Sequence, residues 1–428
     1  MAYTLAQKII ARAAGRDHVE HGEIVICQVD LAMIHDSSGP RRVAPILERL
    51  NTKLWDPEKV VLLSDHFVPS VDAMSAGILD LTRKWAAEQG VRNFYDMQGI
   101  CHVVLPERGH LKPGLFVVGG DSHSTTGGAF GCYMFGIGAT EMAGVLATGE
   151  TWIKVPETIL INCSGRFAAG VSAKDMMLAL CARLGMDGGD YQALQFAGET
   201  IAALAMHERM TITNMAAELG AQAGLIAADE TTAEYLRNAG GDPGDIAIWQ
   251  GDADASYRAV HDMNVSGLEP QVALPHSPAT AEPVSEAAGT RIQQAYIGAC
   301  TGAKLADLKM AAEVLRGRRV ADGTRLLIAP ASVRTTAIAS GDGTLQALTE
   351  AGAILMPSGC GACAGFGAGV LADGEVCISS TARNFKGRMG ANTSNVYLGS
   401  PYTVAASAVA GVICDPRDLL NEEAGESD

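Results

Sequence analysis

The stretch LFVVGGDSHSTTGGAFG, residues 115–131, decides the fold class. Its first part, Leu115–Val118, is an apolar run of strand length. The run stops at two glycines, and the turn after them carries Asp121, Ser122 and His123. Working outward, Ile24–Val29, Val60–Leu63 and Thr158–Ile161 are runs of the same kind. Between them, Pro40–Asn51, Val71–Glu88 and Thr140–Thr148 have helical spacing. Strands alternating with helices predict an α/β domain on a largely parallel sheet. In such sheets ligand sites gather outside the carboxyl ends of the strands. Acid–histidine couples recur at those ends: His35-Asp36, Asp65-His66 and Asp121-Ser122-His123, with His102 as a further candidate. A carboxylate beside an imidazole can fix its tautomer and tune its proton affinity. The alternative is that each residue only caps its own turn.

The chain has 428 residues, enough for about three domains at roughly 150 residues each. Hydrophobic residues make up 48% and charged residues 19%, which supports a large core and excludes a disordered tail or a coiled coil. Lys and Arg number 32 against 48 Asp and Glu, a net charge of −16, and no basic stripe is visible. Such a balance argues against nucleic acid as a partner, because no basic surface is set to neutralise a phosphate backbone. No apolar run reaches the length of about 18 residues that a membrane span needs. Lys8, Arg12 and Arg16 give the N-terminus the look of a transit peptide. Leu5, Ile9, Ile10 and Ala13 fall at helical spacing, however, which predicts an ordinary amphipathic helix. With no signal peptide, the expected compartment is the cytoplasm. Ten cysteines are too sparse for a disulfide scaffold, and in a reducing compartment clustered cysteines indicate metal or catalysis.

Further along, Gln192–Gly240 reads as mostly helical, with a capped start at Thr231-Thr232-Ala233-Glu234. Leu268–Gly289, rich in Pro, Ala and Ser, reads as a linker. Ala295–Ile297, Arg325–Ala329 and Ala353–Leu355 read as strands of a later α/β unit. Cys300 sits in the turn Gly298–Gly302, and Cys360 and Cys363 in Gly359–Cys363. A C-x-x-C pair on a turn can aim two thiolates at one metal; two buried thiols or a redox pair are the alternatives. Arg383 and Arg388, in a loop containing Gly387, could grip two carboxylates bidentately, or could lie on a solvated surface. Asn214 and Glu218 are i,i+4 and would share a helix face.

Taken together, these segments resemble the aconitase superfamily, and within it the large subunits of 3-isopropylmalate dehydratase and homoaconitase. The resemblance rests on GDSHSTTGGAFG (Gly120–Gly131), FGIGATEMA (Phe135–Ala143), ADETT (Ala228–Thr232), NFKGRMG (Asn384–Gly390) and the spacing of Cys300 to Cys360-x-x-Cys363. It implies a three-domain core of parallel-sheet α/β domains, divided at 1–155, 156–280 (helix-rich) and 281–428, around a central iron–sulfur site. It implies a [4Fe-4S] cluster on Cys300, Cys360 and Cys363, with Asn214 beside it. It implies Asp65–His66, His102–Asp121 and His123–Glu218 as catalytic pairs, and His35, Ser122, Arg383 and Arg388 as substrate-facing residues. The implied reaction is reversible removal and addition of water on a small hydroxy-dicarboxylate, first of all the interconversion of 2- and 3-isopropylmalate. The family's swivelling fourth domain is expected on a separate small subunit, because little chain remains after Arg388.

Two positions depart from the family pattern. Ala382 stands where Asn usually precedes the Arg, and Gly302 stands where Asn usually follows Cys-Thr. These departures widen the substrate range to paralogous hydratases acting on maleate, citraconate, dimethylmalate or homoaconitate-type acids. Two readings from other classes compete: a cluster-sensing or RNA-binding protein that kept the fold, and a zinc-bound structural module. The acidic charge opposes the first, and the lack of a nearby fourth ligand opposes the second.

Overall fold

The helices begin where the sequence supplies caps. Thr4 accepts the backbone N–H of Gln7 and starts the helix Leu5–Ala13, whose Leu5, Ile9, Ile10 and Ala13 are buried. Asp72 does the same for Ala73–Gln89, which ends at Gly90 in the left-handed conformation. The computed structural model describes residues 2–425, which fall into two compact units.

The first unit runs to Met97 and adds Cys101–Ser164 and Asp187–Met263. Strands β1 (Ile24–Gln28), β2 (Leu31–His35), β3 (Val60–Ser64), β4 (Asn93–Asp96), β5 (Phe116–Gly119), β6 (Tyr133–Gly136) and β7 (Glu150–Lys154) come first. Five of them form a wholly parallel sheet in the order β4-β3-β2-β5-β6. β2 and β3 are buried along their whole length, as strands covered on both faces must be. The chain winds outward from β2 to β4, then returns to β5 on the other side of β2. The winding reverses between β2 and β5, the position at which open parallel sheets place their ligand sites. β1 and β7 form a separate antiparallel ribbon. Strands β8 (Thr158–Ser164), β9 (Ala193–Ala197), β10 (Ala223–Leu225) and β11 (Ala259–Asn264) make a second sheet in the order β10-β9-β8-β11.

The second unit holds Gln98–Ile100, Gly165–Met186 and the chain from Asn264 onward. Its strands are β12 (Gln271–Ala273), β13 (Ala281–Pro283), β14 (Gln294–Ile297), β15 (Arg325–Ile328), β16 (Ile354–Leu355), β17 (Val376–Ser379) and β18 (Asn395–Leu398). They form one sheet in the order β13-β12-β18-β17-β14-β15-β16, parallel from β18 to β16.

Two sequence expectations change here. The stretch Leu268–Gly289 is no linker: β12 and β13 pair antiparallel, and β12 joins the sheet beside β18. Gln271 N–H reaches the Asp175 carboxylate at 2.9 Å, so tertiary contacts order a segment that composition marks as a spacer. The helix expected to start at Thr231 spans Glu230–Asn238 and is capped by Asp229, whose carboxylate accepts the Thr232 N–H. The region Gln192–Gly240 is mostly helical, as expected, and also contains β9 and β10.

Candidate active site

The carboxyl ends of β2, β3 and β5 deliver the acid–histidine couples to one place in the first unit. His35 is the last residue of β2, Asp65 and His66 follow β3, and Asp121 follows β5. Asp65 Oδ1 lies 2.7 Å from His66 Nδ1, and Asp65 Oδ2 accepts the Cys101 N–H at 2.8 Å. Asp36, fully buried, accepts the backbone N–H groups of His66 and Phe67 at 3.1 and 2.9 Å. The His35 and His66 rings stack with centroids 4.1 Å apart. Beyond β5, His102 Nε2 lies 2.8 Å from Asp121 Oδ1, and the same oxygen accepts the His123 N–H at 2.7 Å. His123 Nε2 lies 3.1 Å from Glu218 Oε1. His35 Nε2 stands 3.9 Å from Asp121 Oδ2, so its ring lies between the two groups. Ser122 is exposed at the start of the 3₁₀ segment Ser122–Phe130.

Burial and charge set the protonation of these groups. Burial pushes His35 down to about 4, reinforced by the neighbouring His66, so it is neutral at physiological pH. Burial pushes Asp36 up to about 6, helped by the Asp65 charge. Burial would also raise Asp65 and Asp121. His66 beside Asp65, and the hydrogen bonds of His102 and His123 to Asp121, outweigh it and hold both carboxyls well below the ordinary range. One member of the Asp36–Asp65 pair is thus kept ionised and the other is biased toward its protonated form.

The segment that carries His123 is held by close backbone approach. A Cβ at Gly128 would lie 1.6 Å from the Gly224 carbonyl oxygen on β10, so only glycine fits there. Asn214 and Glu218 are both fully buried. Asn214 ends no continuous helix with Glu218: the helix stops at Met215 and Glu218 lies on the 3₁₀ turn Ala216–Leu219. Asn214 Nδ2 donates to Thr126 Oγ1 at 2.7 Å, tying this segment to the one that carries His123. Sequence reading missed Arg209, fully buried and bonded by two nitrogens to Asp229 at 2.7 Å each, which anchors the helix that leads to Glu218. Its immediate neighbours, Glu208 and Met210, do not mark this arginine as internal.

In the second unit, Cys300 follows β14, and Cys360 and Cys363 lie at and in the 3₁₀ turn Gly361–Ala364. None of the ten cysteines, all among the described residues, is joined in a disulfide. The expectation of a [4Fe-4S] cluster on Cys300, Cys360 and Cys363, and with it an iron–sulfur-dependent reaction, is corrected here. Among the described residues, the groups of three or more that bring potential ligand atoms within 4.8 Å of one another are His35, Asp36, Asp65 and His66, and His102, Asp121 and His123. The three cysteines form no such group. Cys363 instead packs in an apolar cluster with Tyr296, Leu327, Ala362 and Met389, as a small hydrophobic side chain does. The metal-competent donors are therefore imidazole nitrogens and carboxylate oxygens, a set suited to a divalent cation.

Gly302, one of the two departures from the family pattern, has a structural reason. A Cβ there would lie 2.1 Å from Ser380 Oγ, which accepts the Gly298 N–H at 3.0 Å. The serine fills the space that a side chain at 302 would need. Ala382, the other departure, is buried. Arg383 stands over the Phe385 ring at 5.8 Å. The turn before it is held by Lys174, a buried lysine that donates to the Ser380 and Thr381 carbonyls at 3.1 and 2.6 Å.

The parallel sheet thus gathers three imidazole–carboxylate pairs, a chemistry able to move protons, at the point where its winding reverses. A family model described as the aconitase family (aconitate hydratase) matches residues 7–290 and 285–411. The chain is 45% identical over 421 residues to 3-isopropylmalate dehydratase large subunit 1 of Methanopyrus kandleri, covering 98% of this chain and 100% of that protein. It is 43% identical over 426 residues to a probable methanogen homoaconitase large subunit of Methanothermobacter thermautotrophicus, covering 98% of each. Among solved structures, aconitase X of Thermococcus kodakaraensis matches over 84% of each chain, at 12% identity and a TM-score of 0.49. The chain belongs to the aconitase family, is closely related to its 3-isopropylmalate dehydratase and homoaconitase large subunits, and has their α/β multidomain fold. It is an enzyme of the hydro-lyase and isomerase type.

Proposed function

We propose that this chain removes and restores water on a small hydroxy-carboxylate, with the proton transfers made at the switch-point site. The observation that carries this is the convergence of three hydrogen-bonded histidine–carboxylate couples: Asp65–His66, His102–Asp121 and His123–Glu218. In the dehydration direction a C–O bond breaks, a neighbouring C–H gives up its proton to a neutral imidazole of one couple, a C=C bond forms, and the hydroxyl, protonated by the imidazole of another couple, leaves as water. An imidazole held by a carboxylate delivers the proton that the departing hydroxyl needs and takes it back in the reverse step. Asp121, kept ionised, orients both His102 and His123. Neutral His35 faces the substrate as a polar group. Ser122, Arg383 and Arg388 bind carboxylate oxygens, a role that fits a hydroxyl and two guanidinium groups. A divalent cation held by either His–Asp group would supply Lewis-acid polarisation of the hydroxyl.

The relatives are named as large subunits of isopropylmalate dehydratase and homoaconitase. On that basis the proposal includes a separate small subunit that carries the swivelling domain and completes the site. It also includes a division of the chain at 1–155, 156–280 and 281–428. No helix among the described residues is long and apolar enough to cross a membrane, and a cytoplasmic location is part of the same proposal.

The test is a dehydration assay on the two-subunit complex, following the ultraviolet absorbance of the unsaturated acid. His102→Asn and Glu218→Gln are expected to lower kcat by about 10²–10⁴ with unchanged circular dichroism. Undiminished kcat in both variants would overturn the assignment of the site. Full turnover by this chain alone would overturn the partner.

A further inference from the structure

The β1–β7 ribbon departs from the rule that the outer face of an antiparallel pair is polar. Its inner face is ordinary: Val25, Cys27 and Ile153 are buried in the main core with Leu5, Ile9 and Ile10. Its outer face presents Ile24, Ile26 and Trp152, which are 71%, 64% and 60% exposed. The register places Ile24 opposite Lys154, Ile26 opposite Trp152, and Gln28 opposite Glu150. Three large apolar side chains are therefore contiguous, and a contiguous exposed apolar patch marks an interaction surface.

The charges say what covers it. Lys154 and Glu150 end the same strand, with Trp152 midway between them. Four residue steps along the strand separate them by about 13 Å. Gln28 Nε2 donates to Glu150 Oε1 at 2.6 Å and orients that carboxylate. We propose that this face is a two-fold interface between two copies of this chain. In such an isologous contact, each residue that meets a second residue across the axis is met by it in return. Consider an axis in the plane of contact, perpendicular to the strands and level with Ile26 and Trp152. It lays each of these two residues on its own counterpart. It sets Lys154 against the partner's Glu150, and Glu150 against the partner's Lys154. An axis parallel to the strands instead sets Lys154 over the partner's Ile24 and leaves neither charge matched. The charge pattern thus selects one arrangement, with an aromatic and aliphatic centre and an ion pair on each side. That is the plan of a stable interface: an apolar centre inside a polar rim.

The test is the solution mass of the full chain, alone and in complex with its partner subunit, by light scattering after gel filtration. The chain alone is expected at twice its 44.5 kDa. Trp152→Glu is expected to give the single-chain mass with unchanged circular dichroism, and Ile26→Lys provides a second variant should the first not fold. Lys154→Glu sets two carboxylates face to face and is expected to weaken the dimer at least tenfold. The double exchange Lys154→Glu with Glu150→Lys restores both pairs and is expected to restore the dimer. A single-chain mass for the wild type would overturn the proposal. So would a dimer that survives Trp152→Glu, or a double exchange that fails to rescue. Loss of the small subunit, rather than of a second copy, from the Trp152→Glu complex would assign the face to that subunit and overturn it equally. None of these masses depends on activity, so the result stands apart from the proposed reaction.

Discussion

Removing Asp229 should cost more stability than removing Arg209, although the two form one ion pair. Arg209 is fully buried, while the Asp229 side chain is 42% exposed. Asp229→Ala strands a buried guanidinium without its counter-charge, which costs about 3–5 kcal/mol. It also removes the cap on Thr232 N–H, worth about 1 kcal/mol. Arg209→Met removes the buried charge itself. What remains is Asp229, able to rehydrate, and the Leu204 and Ala202 carbonyls that lost their donor, a cost of about 2 kcal/mol. The double variant should be much less destabilised than the sum of the singles, with a coupling of at least about 1 kcal/mol. Urea unfolding followed by far-ultraviolet circular dichroism measures all four states. Additive losses, or a larger loss from Arg209→Met, would refute the reasoning. There is a pH signature as well. Burial pushes the Asp229 carboxyl up, but Arg209 and the cap hold it below its ordinary 3.8. A lowered carboxyl stabilises the fold above that value and loses the contribution as pH falls. The wild type should therefore lose stability below pH 4 more steeply than Arg209→Met.

Gly128→Ala places a methyl on the Gly224 carbonyl oxygen and should abolish soluble expression or lower Tm sharply, whereas Gly144→Ala, with nothing within 4 Å, should stabilise its helix by about 0.5–1 kcal/mol. Burial pushes Asp175 up to about 6 from 3.8 despite its bonds to Gln271 and Ser172. Its protonated form thus adds stability that is complete below pH 3.8 and lost as pH rises through 6, about 3 kcal/mol in all. Asp175→Asn should flatten that slope in chemical denaturation between pH 4 and 7, and parallel curves would show that burial does not govern the group. Lys174→Met leaves the Thr381 carbonyl without its buried side-chain donor and the Ser380 carbonyl with the Thr301 hydroxyl in place of two donors. Amide hydrogen exchange in residues 380–388 should accelerate there, with little change in β12–β13.

Much of the first unit is legible locally. β3, β5 and the helices Pro40–Leu50 and Ala139–Thr148 stand within a residue of where apolar period and caps put them. A strand's period and a helix's cap are properties of neighbouring residues, so sequence alone carries them. The Asp65–His66 couple was legible for the same reason, being adjacent in the chain.

His123 and Glu218 are 95 residues apart, and only the packing of the Ser122–Phe130 segment against the helix Met206–Met215 brings them together. Leu268–Gly289 has the composition of a spacer, but the edge of a seven-stranded sheet supplies partners that its own residues do not announce. The cysteines show the same limit most clearly. Their spacing and glycine-rich turns mark them as candidate ligands. The folded chain buries Cys363 among apolar side chains and assembles its metal-competent donors from histidines and aspartates of other strands. The sequence by itself determined the family, the parallel sheet and the strand ends at which the chemistry sits, because each is written in local pattern. Which side chains meet there was decided by tertiary structure, because convergence depends on strand order and burial and no residue carries it alone.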